Sequence, residues 1–304
     1  MNNTKANKLC PICAKAMKNK ICNWSYYCDS CNYWAADLQP NINSQNDHIF
    51  SEERNDSDII SFLDSIRINN FNKILDKAIQ ETDKKILNIL DVGCASGLFM
   101  RTAEERGHIV TGIEPNSIMA KTASDKGLNV INGFFPAAVK PVSKFDVIIF
   151  NDVFEHIPDL DEILTSSKIF LSGNGILVLN LPNSDGILFR VAKMLAVVGV
   201  LGPWNRLWQV MFYTPHVHYF NSYSLDKLLN KYDFINSSGS IEIEALSLTG
   251  LWNRLSIDKS STLLTRVLLY VGIILFYPIT KYLEKDAFYA TYKMNTSSNS
   301  HMDR

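Results

Sequence analysis

The chain has 304 residues, 46% of them hydrophobic, a formal net charge of -1 and a mean hydropathy of -0.03, which is enough chain for one full α/β core and a small appended module. The near-zero charge excludes a strongly basic face built for nucleic-acid phosphates, so nucleic acid is not expected as a partner. A polar, lysine-containing start without an apolar run predicts no secretory leader and a cytoplasmic location.

Five of the six cysteines fall within the first 31 residues, as Cys10-Pro11-Ile12-Cys13 and Cys28-Asp29-Ser30-Cys31 with Cys22 between them. Two Cys-x-x-Cys knuckles present four thiolates from two tight turns, the donor set of a tetrahedral zinc ion. The expected ligands are therefore Cys10, Cys13, Cys28 and Cys31, in a small zinc-ribbon-like module over 1–40, with Cys22 left as a packed thiol. Disulfide pairing is the other reading, and it needs an oxidising compartment. A closed four-cysteine site staples a segment too short to build its own core. Trp24, Tyr26, Tyr27, Tyr33 and Trp34, with Lys5, Lys8, Lys15, Lys18 and Lys20, would also let the module touch an acceptor.

Residues 41–58 are polar, rich in Asn and Asp and without periodicity, which predicts a linker. From Ile59, the spacing of Ile60, Leu63, Ile66, Ile74, Leu75 and Ile79 predicts an amphipathic helix. The run Ile89-Leu90-Asp91-Val92-Gly93-Cys94-Ala95-Ser96-Gly97 then ends an apolar strand in an acidic residue and two glycines. An open α/β sheet brings bare backbone to a nucleotide-like molecule at such a turn. Asp91 stands where the dinucleotide fingerprint has its first glycine, and an acidic strand end suits a cationic amino-acid group better than a pyrophosphate. Residues 108–113 predict the next strand, ending in Glu114, the position from which a carboxylate accepts hydrogen bonds from ribose hydroxyls. A helix is expected over 116–126.

The Asp-x-Gly-x-x-x-Gly turn resembles motif I of the class I S-adenosylmethionine-dependent methyltransferases. Further segments carry the resemblance: Phe145 to Phe150 as a buried strand, Asn151-Asp152-Val153-Phe154-Glu155-His156-Ile157-Pro158-Asp159, Gly175 to Asn183 as a fifth strand and exit loop, and Pro215-His216-Val217-His218-Tyr219-Phe220. It covers about residues 87–229 and implies a doubly wound, Rossmann-like methyltransferase sheet over 59–295. Asp91, Gly93, Cys94, Gly97, Glu114, Asn151 and Asp152 are the expected contacts to S-adenosylmethionine. The resemblance extends to bacterial sugar methyltransferases, some of which carry N-terminal zinc modules. It implies a small-molecule or lipid-linked sugar as acceptor, in cell-surface polysaccharide biosynthesis.

After the fifth strand, about 183–220 forms an apolar, aromatic insertion expected to act as a lid, or else as a buried helical pair. Downstream come an expected helix near 224–231, a strand within 240–248 and a last strand over 287–294. The hydrophobic stretch at about 262–283 is interrupted by Arg266 and closed by Pro278, too short a clean run to span a membrane; peripheral membrane contact through 263–279 stays open. A disordered tail is expected over 296–304. His216, His156 and His218 are the candidate bases, His216 first because it matches a histidine of the sugar C-methyltransferases. Pro215 replaces the Glu those enzymes carry, which leaves O-methylation beside C-methylation. A ribosomal RNA methyltransferase and a non-catalytic cofactor-binding scaffold are the rival readings.

Overall fold

The structure, a computed structural model, describes residues 8–40, 57–243 and 284–295, with isolated helical positions between 263 and 274. Three short antiparallel strands, β1 (Lys18–Lys20), β2 (Cys22–Cys28) and β3 (Tyr33–Ala36), build the cysteine-rich module. A 26-residue helix, α1 (Ser57–Thr82), precedes the main sheet and buries Phe71, Ile74, Leu75 and Ala78 on it. The predicted linker therefore stops at residue 56, and its remaining positions lie outside the described residues.

The main sheet begins with β4 (Asn88–Val92), α2 (Leu98–Glu105), β5 (Ile109–Glu114), α3 (Ser117–Asp125) and β6 (Val130–Asn132). It continues with β7 (Phe145–Asn151), a 3₁₀ turn at Phe154–His156, α4 (Leu160–Phe170) and β8 (Leu171–Pro182). Val147, Ile148, Ile149 and Phe150 of β7 are all buried, because helices cover both faces of this central strand. On one face α1 packs with Leu87, Ile89 and Ile149; on the other, α4 and a later helix, α7 (Ser222–Lys231), bury Leu160, Ile163, Leu164, Leu225, Leu228 and Leu229 against Leu90, Ile148 and Phe150.

Three features of the sheet differ from the sequence expectation. It is mixed: the five strands β6-β5-β4-β7-β8 are parallel, and two further strands complete the order antiparallel at the β8 edge, β11 (Ala287–Met294) and then β10 (Phe234–Ile243). β10 also begins at Phe234, not near Ser240. The Asn-Ser-Ser-Gly run reads as loop, yet it is a bulge inside the strand: pairing shifts between Asn236 and Ser240, with Gly239 at φ 71°. β8 likewise starts at Leu171, four residues before the predicted Gly175.

The module and the insertion meet. A two-residue strand in the insertion, β9 (His218–Tyr219), pairs antiparallel with β3 through Trp34 opposite Tyr219 and Ala35 opposite His218. The insertion's two helices, α5 (Ile187–Val197) and α6 (Gly202–Leu207), bury Phe189, Ala192, Ala196 and Trp204 in a cluster with Trp34, Ala36, Trp208 and Tyr219. The helical pair thus packs on the module. The expected C-terminal helix at 262–283 falls mostly outside the described residues, and the tail at 296–304 entirely so. Among the described residues no helix is long and apolar enough to cross a membrane.

Candidate active site

The turn after β4 owes its shape to two glycines with different jobs. Gly93 sits at φ 75°, and a Cβ there would lie 2.5 Å from Val153 Cγ2, so only glycine leaves the backbone open where the cleft is deepest. Its N–H and that of Cys94 donate to the Ile113 carbonyl at 2.8 and 3.1 Å, locking the turn to β5. Gly97, at φ 83°, caps α2; a Cβ on it would lie 2.2 Å from Leu128 Cδ1, so its absence lets the helix approach α3 and β6. Cys94 is buried, its Sγ filling the space above Gly112.

Glu114 ends β5 with both carboxylate oxygens engaged, Oε2 accepting from Ala95 N at 2.9 Å and Oε1 from Asn116 N at 2.8 Å. Those bonds join the glycine turn to the start of α3, where the Asn116 side chain caps the helix by accepting from Met119 N. Asp91 is buried beneath the turn with Oδ2 unpartnered among the described residues. Burial, and then the charge of Glu114, push its carboxyl up to about 8. A buried carboxyl in that condition is a seat for an incoming cation.

Two clefts open on either side of this turn. The first runs from Gly93, Glu114, Asn116 and Phe135 to His156 and Thr214, with Pro40 of the module on its rim. The second is lined by Asp91, Cys94, Gly97, Asn151 and Asp152, with Arg67 of α1 facing them. Gly93 and Asp152 line both, so every residue expected to contact the cofactor lines one or other of these two adjoining clefts. Arg67, Asn116, Phe135, Thr214 and Pro40 were not anticipated. Their positions follow from helix docking and chain return, for which the local sequence carries no signal.

The three candidate histidines are placed differently. His156 alone lines the first cleft. Its Nδ1 lies 3.0 Å from the Pro215 carbonyl, which can only accept, so the hydrogen is on Nδ1 and the lone pair on Nε2. His216 is behind it, buried, the rings 4.7 Å apart. The Tyr219 hydroxyl donates to Leu207 O at 3.0 Å and so accepts from His216 Nδ1 at 3.1 Å, again leaving the Nε2 lone pair, which faces the Gln209 amide nitrogen at 3.0 Å. His218 donates from Nε2 to Ile157 O at 2.9 Å and accepts at Nδ1 from the Tyr33 hydroxyl, so both its nitrogens join the module to the main domain. Burial pushes His216 and His218 down to about 3, and burial also lowers His156; all three are neutral at neutral pH. His216, placed first by the sequence resemblance, is not among the residues lining the first cleft, and His156 is.

In the module, the sulfurs of Cys10, Cys13, Cys28 and Cys31 lie within 4.8 Å of one another, and Cys13 and Cys28 are 3.6 Å apart. A zinc ion with four bonds of about 2.3 Å holds its sulfurs about 3.8 Å apart, so the donor set fits. All six cysteines are free thiols and Cys22 stands outside the group. Ala14 and Asn32, each just after a knuckle, adopt positive φ of 58° and 48°, folding the chain back beneath the sulfurs.

Comparison with known proteins gives a consistent picture. Residues 42–238 match the model of a methyltransferase-domain family. An O-methyltransferase of ubiquinone biosynthesis from Haemophilus ducreyi is 32% identical over 142 residues, 42% of this chain and 56% of the relative. One of the same name from Caulobacter vibrioides is 26% identical over 182 residues, 56% of this chain and 68% of the relative. The chain spans about half the length of most of the curated relatives it matches. A methyltransferase structure from Archaeoglobus fulgidus overlaps with a TM-score of 0.47 at 15% identity, covering 77% of this chain and 98% of that one.

Proposed function

This chain belongs to the methyltransferase-domain family whose model it matches over 42–238, and from that premise we propose that it binds S-adenosylmethionine and passes the methyl group to a hydroxyl of a small or carrier-bound acceptor. The observation that carries the reading is the continuous cleft, with the glycine turn and Glu114 at one end and His156 and Thr214 at the other. We assign Glu114 to the ribose, Phe135 and Met119 to the flat base, and Asp91 and Arg67 to the charged amino-acid end, a reading supported by their shared lining of the two clefts. When bound, S-adenosylmethionine supplies an electrophilic methyl on a sulfonium. Transfer to the acceptor oxygen would leave the bonding electron pair on sulfur, and the hydroxyl proton would pass to solvent at the His156 end of the cleft. The protein's own contribution is in-line placement and a dry wall.

Pro40, Ile157 and Pro158 make the acceptor end largely apolar, which favours an acceptor with an apolar ring or carrier. A lipid-linked sugar, implied by the sequence resemblance, satisfies that requirement through its carrier. The relatives' names refer to O-methylation, and for this chain we infer oxygen as the acceptor atom ahead of carbon. The cysteine cluster is proposed to hold one zinc ion as a staple. The test is to incubate purified protein with methyl-labelled S-adenosylmethionine and fractionated cell extract, then to find the labelled product by mass spectrometry. Label in a small or lipid-extractable hydroxyl compound is the expected result. Label in RNA, or binding of S-adenosylmethionine without transfer to any fraction, would overturn it.

A further inference from the structure

Beside the cleft, one carboxylate and two imidazoles converge. Glu155 is 1% exposed, and its Oε1 lies 3.9 Å from His156 Nε2 and 3.9 Å from His216 Nε2. The three ligand atoms all fall within 4.8 Å of one another, and Glu155 Oε2 is buried with no hydrogen-bond partner among the described residues. A buried carboxylate so placed requires either a proton or a cation.

The surroundings of the two rings favour a cation. Each imidazole has its Nδ1–H held from behind, His156 by the Pro215 carbonyl and His216 by the Tyr219 hydroxyl. That leaves each Nε2 unprotonated and 3.9 Å from Glu155 Oε1, with the Gln209 amide also on the His216 nitrogen; a hydrogen bond held at the far ring nitrogen is how the outer shell of a metal site orients its histidines. The backbone holds the cluster as well: Val217 N donates to Glu155 O at 2.8 Å, tying β9 to the 3₁₀ turn. With both ring hydrogens on Nδ1, no imidazole N–H is left to donate to the carboxylate, so either a proton on Glu155, which burial and the charge of Asp152 favour, or a cation must satisfy it.

We propose that Glu155, His156 and His216 bind a divalent transition-metal ion at the acceptor end of the cleft, with a fourth position open to the acceptor hydroxyl. Two histidines and one glutamate with an open position form a catalytic set, whereas the four-cysteine cluster is a closed one. Tetrahedral bonds of about 2.0 Å place ligands about 3.3 Å apart, so the observed 3.9 Å needs only a small rotation of each side chain. The Gln209 amide, now on His216 Nε2, would turn away. Binding of the ion does not depend on the methyl-transfer reading; its role does, since there it acidifies the acceptor hydroxyl and directs its lone pair at the methyl carbon. The proton goes to solvent, and no side chain has to act as base.

Elemental analysis of the full-length protein purified with Zn²⁺ present provides the test. Glu155→Gln, His156→Ala and His216→Ala should each carry one equivalent less than wild type. All three should bind S-adenosylmethionine with wild-type affinity by calorimetry, which also shows that they fold. With the acceptor fraction in hand, each should lose at least about 100-fold in transfer rate. A chelator should inhibit wild type, and Zn²⁺ or Mn²⁺ should restore it. Unchanged metal content in folded His216→Ala and Glu155→Gln would overturn the assignment. So would a fully active His216→Ala beside an inactive His156→Ala, the pattern of a simple histidine base. Loss of S-adenosylmethionine binding in wild type would instead remove the methyltransferase reading and leave the metal result standing.

Discussion

At the scale of single residues, the glycine turn separates ligand contact from packing. Gly93→Ala places a methyl against Val153 and strains a positive φ at the point proposed to meet the cofactor. It is expected to weaken S-adenosylmethionine binding at least about tenfold in calorimetry while the melting temperature changes little. Gly97→Ala meets Leu128 and Ala123 instead, and is expected to lower stability by about 1–3 kcal/mol, read by urea denaturation. Asp91 makes a pH prediction. Its carboxyl is raised to about 8 in the free protein by burial and by Glu114, and a bound cation favours the ionised form. Affinity for S-adenosylmethionine should therefore rise from pH 6 to about 8 and then level, with Asp91→Asn flat across that range. The stability sign runs the other way. Because the folded value lies above the unfolded one, the protonated form contributes stability that is full below about pH 4 and lost as pH rises through 8. In ligand-free Asp91→Asn the fall in stability between pH 6 and 9 should shrink, measured by denaturant melts.

At the scale of elements, β3 and β9 are the hinge between what reads as an accessory module and the catalytic domain. Their pairing is only two residues long, so side chains must supplement it: Tyr33 binds His218, and Trp34 fills the cluster with Trp204 and Phe189. Tyr33→Phe leaves a buried imidazole nitrogen without its donor and is expected to cost about 1–3 kcal/mol. Trp34→Ala, emptying a packed aromatic site, should cost about 3–5 kcal/mol. Both are read by chemical denaturation. Neither residue lines the cofactor opening, so S-adenosylmethionine affinity of the folded variants should stay near wild type. A matching fall in affinity would mean that the module reaches the cofactor directly.

At the scale of the whole molecule, the module, the insertion and the main sheet form one connected structure, with the module on the acceptor side. Cys10, Cys28, Cys31 and Tyr33 share a continuous core with Leu90, Phe154 and Phe220 of the main domain. Removing the proposed zinc by chelation, or making Cys28→Ser, should therefore loosen β3, release β9 and disturb His216. Transfer rate is expected to fall by about 10-fold or more while S-adenosylmethionine affinity holds, because backbone pairing of β4 with β5 and the bonds from Gly93 and Cys94 to the Ile113 carbonyl hold the glycine turn. Elemental analysis paired with calorimetry and the labelled-methyl assay measures all three. A metal-free preparation that keeps full rate would sink the structural role.

The sequence by itself determined what is local in the chain. The apolar strand of Ile89 and Leu90, the Asp91-to-Gly97 turn and Glu114 one βα unit later are legible because strand period, glycine conformation and a carboxylate at a strand end are short-range properties. The two cysteine knuckles are legible for the same reason. Long-range approach decided the rest. Tyr33 meets His218 across 185 positions of sequence, and no pattern on either side announces a two-residue pairing. Chain return also chose among the histidines. His156 follows β7 directly and lands on the cleft; His216 comes back from the insertion and stops one layer behind; His218 is spent on holding the module. Glu155 enters the sequence reading only as part of the Asn151-to-Asp159 segment that carries the resemblance, with nothing local to announce its burial. Only when β9 closes over the 3₁₀ turn is it buried between two imidazoles, because burial belongs to the surrounding elements and not to the residue itself.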